Sequence, residues 1–389
     1  MQCSGEPRYS RLYLGRLRRV VGGTPARRIQ FADVGSVYAS VVLEPLGVVA
    51  GTIPFNWPPI HTGGKIAPAL AVGNTVVVKP SEQAPLTVMR IVELLNTVLP
   101  ADVLHAVPGP GPAAGQALAA HPLVRKVSFT GSTSAGVAVV AAAAANVTPV
   151  LLELGGENAF IVLDDADLDR AVCDALDCGY FNKGEACTAA SRLLVQRGVH
   201  DEFVRRLAAG VRALKVGNGA DPATHVGPVV SRAQRRRVLD HIRTGCEEGA
   251  TIAAQAALPE APELAAGFFM APTLLTGVTR EMRVAVEEIF GPVVTVTVFD
   301  TEEEAVSITN ESTYGLLCGI YAGDNNYFRG ILGTPFGGTK HSGFGREHSI
   351  ETLREFGSPK MIRFPSGRGA PPSWRAVDEV FGAGGSDAN

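Results

Sequence analysis

The chain has 389 residues, enough for two or three domains at roughly 100–200 residues each. Apolar residues make up 46% and charged residues 19%, so real cores are expected rather than a disordered chain. A formal net charge of -3 without a long basic block argues against a nucleic-acid partner, and the longest apolar run, "AGVAVVAAAAA", falls short of the roughly 20 residues that cross a bilayer.

The start, "MQCSGEPRYSRLYLGRLRR", is Arg-rich with a single acid. It is taken as the solvated surface of a cytoplasmic protein, with a mitochondrial transit peptide as the minority alternative. Short β-branched runs then alternate with helical stretches. "SVYASVVLEPLGVVAGTI" gives strands, "TVVVKP" a buried strand ended by Pro80, and "APLTVMRIVELLNTVL" a helix. "KVSFTG" is a strand and "STSAGVAVVAAAAA" a helix; "TPVLLELGG" and "ENAFIVLDD" are strands, followed by the helix "ADLDRAVCDALDCGYFN". This alternation predicts an α/β fold with a doubly wound, Rossmann-like sheet. A second α/β region runs through "RLLVQ", the helices "VHDEFVRRLAAGVRAL" and "SRAQRRRVLDHIRTGCEEG", and the strand "GPVVTVTVFD". After Arg368 a Pro/Gly/Ser-rich tail is expected to be poorly ordered.

Six cysteines, at 3, 173, 178, 187, 246 and 318, form no C-x-x-C pair and no zinc spacing, so they are expected to be reduced thiols and no metal is predicted. Cys173 and Cys178 sit on a helix and are expected to pack. Cys187 differs: in "FNKGEACTAASR" its neighbours are small or polar, which suits either a tight bend or a nucleophile open to an electrophile. Glu153, at the end of an apolar strand, is placed for a raised pKa and general-base work, or else simply faces solvent. Asn56, in the Pro-rich "TIPFNWP", could offer an oxyanion a fixed amide donor; alone it reads more readily as a loop cap.

Lys79 and Glu82 in "VVVKPSE" fall at the carboxyl end of a strand, where open α/β sheets bind nucleotides; a surface ion pair explains them equally well. A carboxylate there repels a 2′-phosphate, so Glu82 favours NAD over NADP. "VSFTGSTSAG" sets Gly131, Ser132 and Gly136 at a strand-turn-helix junction, where helix N–H groups could meet a pyrophosphate, although neither G-x-G-x-x-G nor a P-loop lysine is present. "VEEIFGPV" places Glu288 and Phe290 before a strand, and "TPFGGTKHSGFGRE" is a Gly-rich loop.

The order of these motifs, from Asn56 through Lys79-Pro80-Ser81-Glu82, Gly131-Ser132-Thr133, Glu153-Leu154-Gly155-Gly156 and Cys187 to Glu288-x-Phe290-Gly291-Pro292 and Pro335-Phe336-Gly337-Gly338, strongly resembles the NAD(P)-dependent aldehyde dehydrogenase superfamily. The likeness covers about residues 20–368. It implies that Cys187 adds to the aldehyde, that Asn56 and the Cys187 N–H form an oxyanion hole, and that Glu153 activates the water that releases a carboxylic acid. It further implies NAD held by Lys79, Ser81, Glu82, Gly131, Ser132, Gly136, Leu154, Glu288 and Phe290, with Lys65 near the catalytic region. The implied domains are a cofactor-binding domain over 1–155 with oligomerisation strands about 31–45, a catalytic domain over 156–357, an oligomerisation strand over 358–368 and a flexible tail over 369–389. A homo-oligomer follows from the same resemblance.

The chain departs from the family pattern in several places. About the first quarter of an ordinary member is mostly absent, and a helix and strand expected after "YGLLCGIYAGD" are missing between Asp324 and Asn325. The aromatics of "PFNWP" are exchanged relative to the commoner order, and Glu157 stands where a lysine is frequent. These gaps sustain an alternative expectation, an inactive shortened member acting as a subunit or binding partner. A cysteine hydrolase is a third reading, but none of the eight histidines lies in a recognisable Cys-partner motif.

Overall fold

The computed structural model describes residues 31–34, 37–323, 325–327 and 334–365. The Arg-rich start and the expected flexible tail lie outside the described residues. Six strands build the first sheet: β3 (Val48–Ile53), β4 (Thr75–Pro80), β5 (Leu104–Ala106), β6 (Val124–Thr130), β7 (Val150–Glu153) and β17 (Gly343–Phe344). Their spatial order is β17-β7-β6-β3-β4-β5, all parallel except β17, which runs antiparallel to β7. The chain therefore winds outward from β3 through β4 and β5, then crosses to β6 and β7 on the other side. This is the doubly wound order, and its switch point lies between the carboxyl ends of β3 and β6.

Four helices matter to this half. α1 (Pro58–Ala71) follows β3, α2 (Leu86–Asn96) follows β4, α3 (Thr133–Ala144) follows β6, and α8 (Ile350–Glu355) comes from the far end of the chain. Val49, Ile53, Val76, Val78 and Leu104 from the strands pack with Ile66, Val88 and Val92 from α1 and α2. Burying each such side chain is worth about 1.5–3 kcal/mol. α1 was not legible as a helix, since it contains Pro58, Pro59, Gly63, Gly64 and Pro68. Prolines at the first positions cost nothing, because those N–H groups have no intrahelical partner. Its buried face, which includes Ile66, Pro68 and Ala69, carries the remaining cost.

The chain leaves β7 through Leu154–Asn158 and enters a second sheet of seven strands. These are β8 (Ala159–Val162), β9 (Arg192–Gln196), β10 (Thr251–Gln255), β11 (Thr273–Thr276), β12 (Val293–Phe299), β14 (Cys318–Ala322) and β15 (Asn325–Tyr327), in the order β10-β11-β12-β9-β8-β14-β15. The five central strands are parallel, and β10 and β15 close the two edges antiparallel. Where the sequence suggested a lost strand, β14 turns straight back into β15. Helices α4 (Leu168–Tyr180) and α5 (Arg197–Arg212) pack on this sheet through Ala171, Ala175, Phe203 and Leu207 against Phe160, Leu193 and Val296. α6 (Arg232–Glu247) covers a neighbouring cluster with Val238 and Ile242 against Leu275 and Val293. α7 (Glu302–Asn310), also unread in the sequence, is capped by Thr301 and carries three acids in its first turn.

Two smaller sheets remain. β1 (Phe31–Val34), β2 (Val37–Pro45) and β18 (Gly357–Pro365) form an antiparallel three-stranded sheet in which β2 and β18 pair along their full length, Gly357 opposite Pro45 and Pro365 opposite Val37. β13 (Tyr314–Gly315) pairs with β16 (Thr339–Lys340) beside the crossing between the two large sheets.

Candidate active site

The crossing Leu154–Asn158 is the spine of the site. Gly155 and Gly156 have no side chains because other groups fill that space. A Cβ on Gly155 would fall 2.2 Å from Glu288 Oε2, and one on Gly156 would fall 2.6 Å from the Cys187 carbonyl oxygen. The Gly156 N–H donates to Glu288 Oε1 at 2.9 Å. Two residues on, the Asn158 amide donates to the Cys187 carbonyl at 2.7 Å and the Ala189 carbonyl at 2.8 Å, and its Oδ1 accepts from the Leu317 N–H at 3.1 Å. The spine thus fixes the cysteine loop and the Glu288 carboxylate in one frame. Sequence reasoning missed Asn158, whose sole signal was an amide directly ahead of a buried strand.

The cysteine loop is bent on purpose. After α4 the residues Asn182 and Lys183 take left-handed φ values of 50° and 65°, which cost about 1–3 kcal/mol each without glycine. Asn182 Nδ2 donates to the Asn56 carbonyl at 3.0 Å, and Lys183 pairs with the buried Glu185 at 3.3 Å. The Asn56 turn is also held by its aromatic flanks. Phe55 meets Phe290 edge-on at 5.9 Å, and Trp57 meets Phe181 at 6.0 Å. The "FNW" turn, the cysteine loop and the segment before β12 are therefore packed together, and only Trp57 separates Asn56 from α1.

Cys187 is half-buried. Burial, then the nearby Glu153 and Glu288 carboxylates, pushes its thiol up to about 12. Glu153 ends β7 and is 3% exposed, and neither of its carboxyl oxygens has a hydrogen-bond partner. Burial, followed by the Glu347 carboxylate, pushes Glu153 up to about 9. A buried carboxyl without partners is costly, and its place is explained if it serves a water or a substrate. The expected end-of-strand acid is therefore interior, not solvent-facing. Behind it lies an ion pair that the sequence did not suggest: Lys65 Nζ on α1 donates to Glu347 Oε1 at 2.9 Å and to Ser128 Oγ at 3.0 Å, all buried. Burial opposes it, yet Lys65 holds the Glu347 carboxyl below its ordinary range.

The other predicted residues lie along the carboxyl edge of the first sheet. Lys79, next to last in β4, is buried and pairs with half-exposed Glu82 at 3.0 Å; the Ser81 N–H donates to the Ile53 carbonyl at 2.8 Å. Glu82's carboxyl is held below the usual range by its own backbone N–H and by Lys79, burial acting the other way. Gly131 follows β6 and donates to the Glu153 carbonyl at 3.1 Å, and Ser132 caps α3, its Oγ accepting from the Ala135 N–H at 3.3 Å. Gly136 lies one turn into α3, where a Cβ would come 2.7 Å from Leu154; it serves close packing of that helix. Glu288 is half-buried, and burial pushes its carboxyl up to about 7. Phe290 sits at φ 56°, its ring turned to Phe55. Of the two cysteines expected to pack, Cys178 does, while Cys173 is exposed on the outer side of α4. Among the described residues no cluster of three or more His, Cys, Asp or Glu could hold a metal, and no helix is long and apolar enough to cross a membrane.

Residues 8–362 match the Aldehyde dehydrogenase family. The chain is 57% identical over 370 residues to an aldehyde dehydrogenase of Didymella fabae, covering 90% of this chain and 75% of that one. It is 55% identical over 369 residues to aldehyde dehydrogenase citD of Monascus ruber, covering 90% and 74%. Among solved structures it superposes on betaine aldehyde dehydrogenase (betB) from Staphylococcus aureus in complex with NAD+ with a TM-score of 0.86 at 37% identity, covering 91% of this chain and 74% of that one. With this order of strands and a cysteine loop clamped beside a buried glutamate, the chain belongs to the aldehyde dehydrogenase family.

Proposed function

We propose that the chain oxidises an aldehyde to a carboxylic acid with NAD, using Cys187 as nucleophile and Glu153 as the base for hydrolysis. The observation that carries this assignment is the pairing of a half-buried thiol with a deeply buried carboxyl whose two oxygens are unpartnered. No observation favours the inactive alternative.

NAD fits the residues present. The edge of the first sheet offers the N-terminus of α3 for phosphate, the Lys79–Glu82 pair for ribose hydroxyls, and a Gly155 position against which the Glu288 carboxyl packs. We assign Lys79, Ser81 and Glu82 to the adenosine end, Gly131 and Ser132 to the pyrophosphate, Glu288 to the nicotinamide ribose, and Leu154 and Phe290 to the walls, with Gly136 packing beneath. When bound, the cofactor supplies the hydride acceptor and a positive charge. That charge lowers the pKa of the adjacent thiol, offsetting burial and the carboxylates.

The Cys187 sulfur then adds to the carbonyl carbon, and the π electron pair moves to oxygen, where the Cys187 N–H and the Asn56 amide stabilise it. Return of that pair expels hydride and leaves a thioester. In its ionised form Glu153 takes a proton from water as the water oxygen attacks the thioester carbon; the C–S bond breaks, and the thiolate is regenerated. We also infer a division into cofactor and catalytic domains at about residue 155, a cytoplasmic homo-oligomer, and the β1-β2-β18 sheet as its contact. The test is reduced-nicotinamide formation with an aldehyde panel, beside Cys187→Ala. Turnover that vanishes in the variant supports the assignment; turnover that survives in it, or is absent from folded parent protein, overturns it.

A further inference from the structure

Glu157 has no part in the chemistry above. It is 3% exposed and neither of its carboxyl oxygens has a close hydrogen-bond partner, although the neighbouring Ser191 hydroxyl favours its ionised form. Both residues line a small, partly open cleft with Glu288, Phe290, Gly184 and Ala186. The nearest cation opposes this burial but makes no hydrogen bond to the carboxyl. Arg192 on β9 spends its Nε on the Glu157 backbone carbonyl at 3.2 Å and its Nη1 on the Ile308 carbonyl at 3.5 Å. Two carboxyl groups therefore share one small, poorly solvated space, and one of them already accepts the Gly156 N–H.

We propose that Glu157 is a positioning residue which, through Glu288 and the cleft they share, sets how strongly the site prefers oxidised over reduced cofactor. This rests on the assignment of Glu288 to the nicotinamide ribose. The nicotinamide ring loses its positive charge on reduction, so a second carboxylate beneath that region favours the oxidised form. A neutral Glu157 adds nothing to that preference. Burial first, with the Glu288 carboxylate adding to it and Arg192 opposing, pushes Glu157 up to about 8. The other groups facing the pair are Tyr314 on β13, which couples to both acids, Arg237 on α6, which couples to Glu288, and the Cys187 thiol. Glu288 changes charge near pH 7 and Glu153, pushed up to about 9, titrates in the same range as Glu157, so the comparison with Glu157→Gln is what isolates Glu157.

The test measures dissociation constants of NAD+ and NADH by fluorescence titration from about pH 7.5 to about pH 9.5. In the parent, the ratio of the NADH to the NAD+ constant should rise about fivefold to tenfold as Glu157 ionises, slightly less than one pKa unit of coupling. In Glu157→Gln the ratio should stay within about twofold. An equal rise in the variant overturns the proposal. Proton release gives a second readout, compared between the parent and Glu157→Gln because the Cys187 thiol also gives up a proton more readily beside NAD+. Near pH 8, NAD+ binding should release more protons than NADH binding, because only the cationic ring lowers the Glu157 pKa. An equal excess in parent and variant overturns the proposal as well. Failure of the parent to bind either form would instead overturn the cofactor assignment beneath it.

Discussion

Replacing Gly156 with alanine should damage the chemical step while leaving cofactor binding nearly intact. The added Cβ would lie 2.6 Å from the Cys187 carbonyl oxygen, 2.9 Å from Asn158 Oδ1 and 3.1 Å from a Leu316 methyl. An ordinary contact needs about 3.4 Å, so the cysteine loop must retreat by about 0.8 Å. It cannot do so freely, because that same carbonyl accepts the Asn158 amide at 2.7 Å. Overpacking of this kind costs about 1–3 kcal/mol of stability, and a nucleophile displaced by nearly 1 Å loses about 10- to 100-fold in rate. Stopped-flow hydride transfer at saturating NAD and aldehyde reads the rate, fluorescence titration reads NAD affinity, and urea unfolding reads stability. A folded Gly156→Ala protein with the parent's hydride-transfer rate would refute the clamp. Gly155→Ala is the matched control: its Cβ meets Glu288 Oε2 at 2.2 Å, so it should weaken NAD binding by about tenfold or more.

Other outcomes follow from buried charge. Lys65→Met leaves Glu347 unpaired at 2% exposure and should cost about 3–5 kcal/mol in urea unfolding, whereas Lys65→Met with Glu347→Leu should recover much of that loss. Glu157 keeps its proton in the folded chain up to about pH 8 but releases it near pH 4.5 when unfolded, so the parent loses stability as pH rises between those values. Glu157→Gln should therefore gain on the parent by on the order of 2 kcal/mol between about pH 5 and pH 8; a constant difference across that range contradicts it.

The doubly wound order of the first sheet was legible because its strands are short β-branched runs ended by Pro80, Gly131 or Gly155, with helices between. Cys187 stood out for the same kind of local reason, its small neighbours. What stayed hidden depends on tertiary contact. α1 carries Pro and Gly at positions that argue against a helix, and only packing on the sheet overrides them. Lys65 and Glu347 are 282 residues apart, so no local pattern joins them. The glycine pair was read as a motif, while its physical reason, room for Glu288 on one residue and for the Cys187 carbonyl on the next, exists only in the folded chain. The gap at 324–325 suggested a missing helix and strand. Local hairpin formation between β14 and β15 continues the sheet there, a pairing that short strands make without long-range help.

The most direct test of the central claim, that the aldehyde carbon passes through Cys187 and is released by Glu153, is intact-mass analysis of Glu153→Gln after mixing with NAD and aldehyde. A burst of NADH matching the enzyme, with a new mass equal to the aldehyde less two hydrogens mapped to the Cys187 peptide, is the predicted result. Steady NADH production with no adduct, or an adduct on another residue, would contradict it.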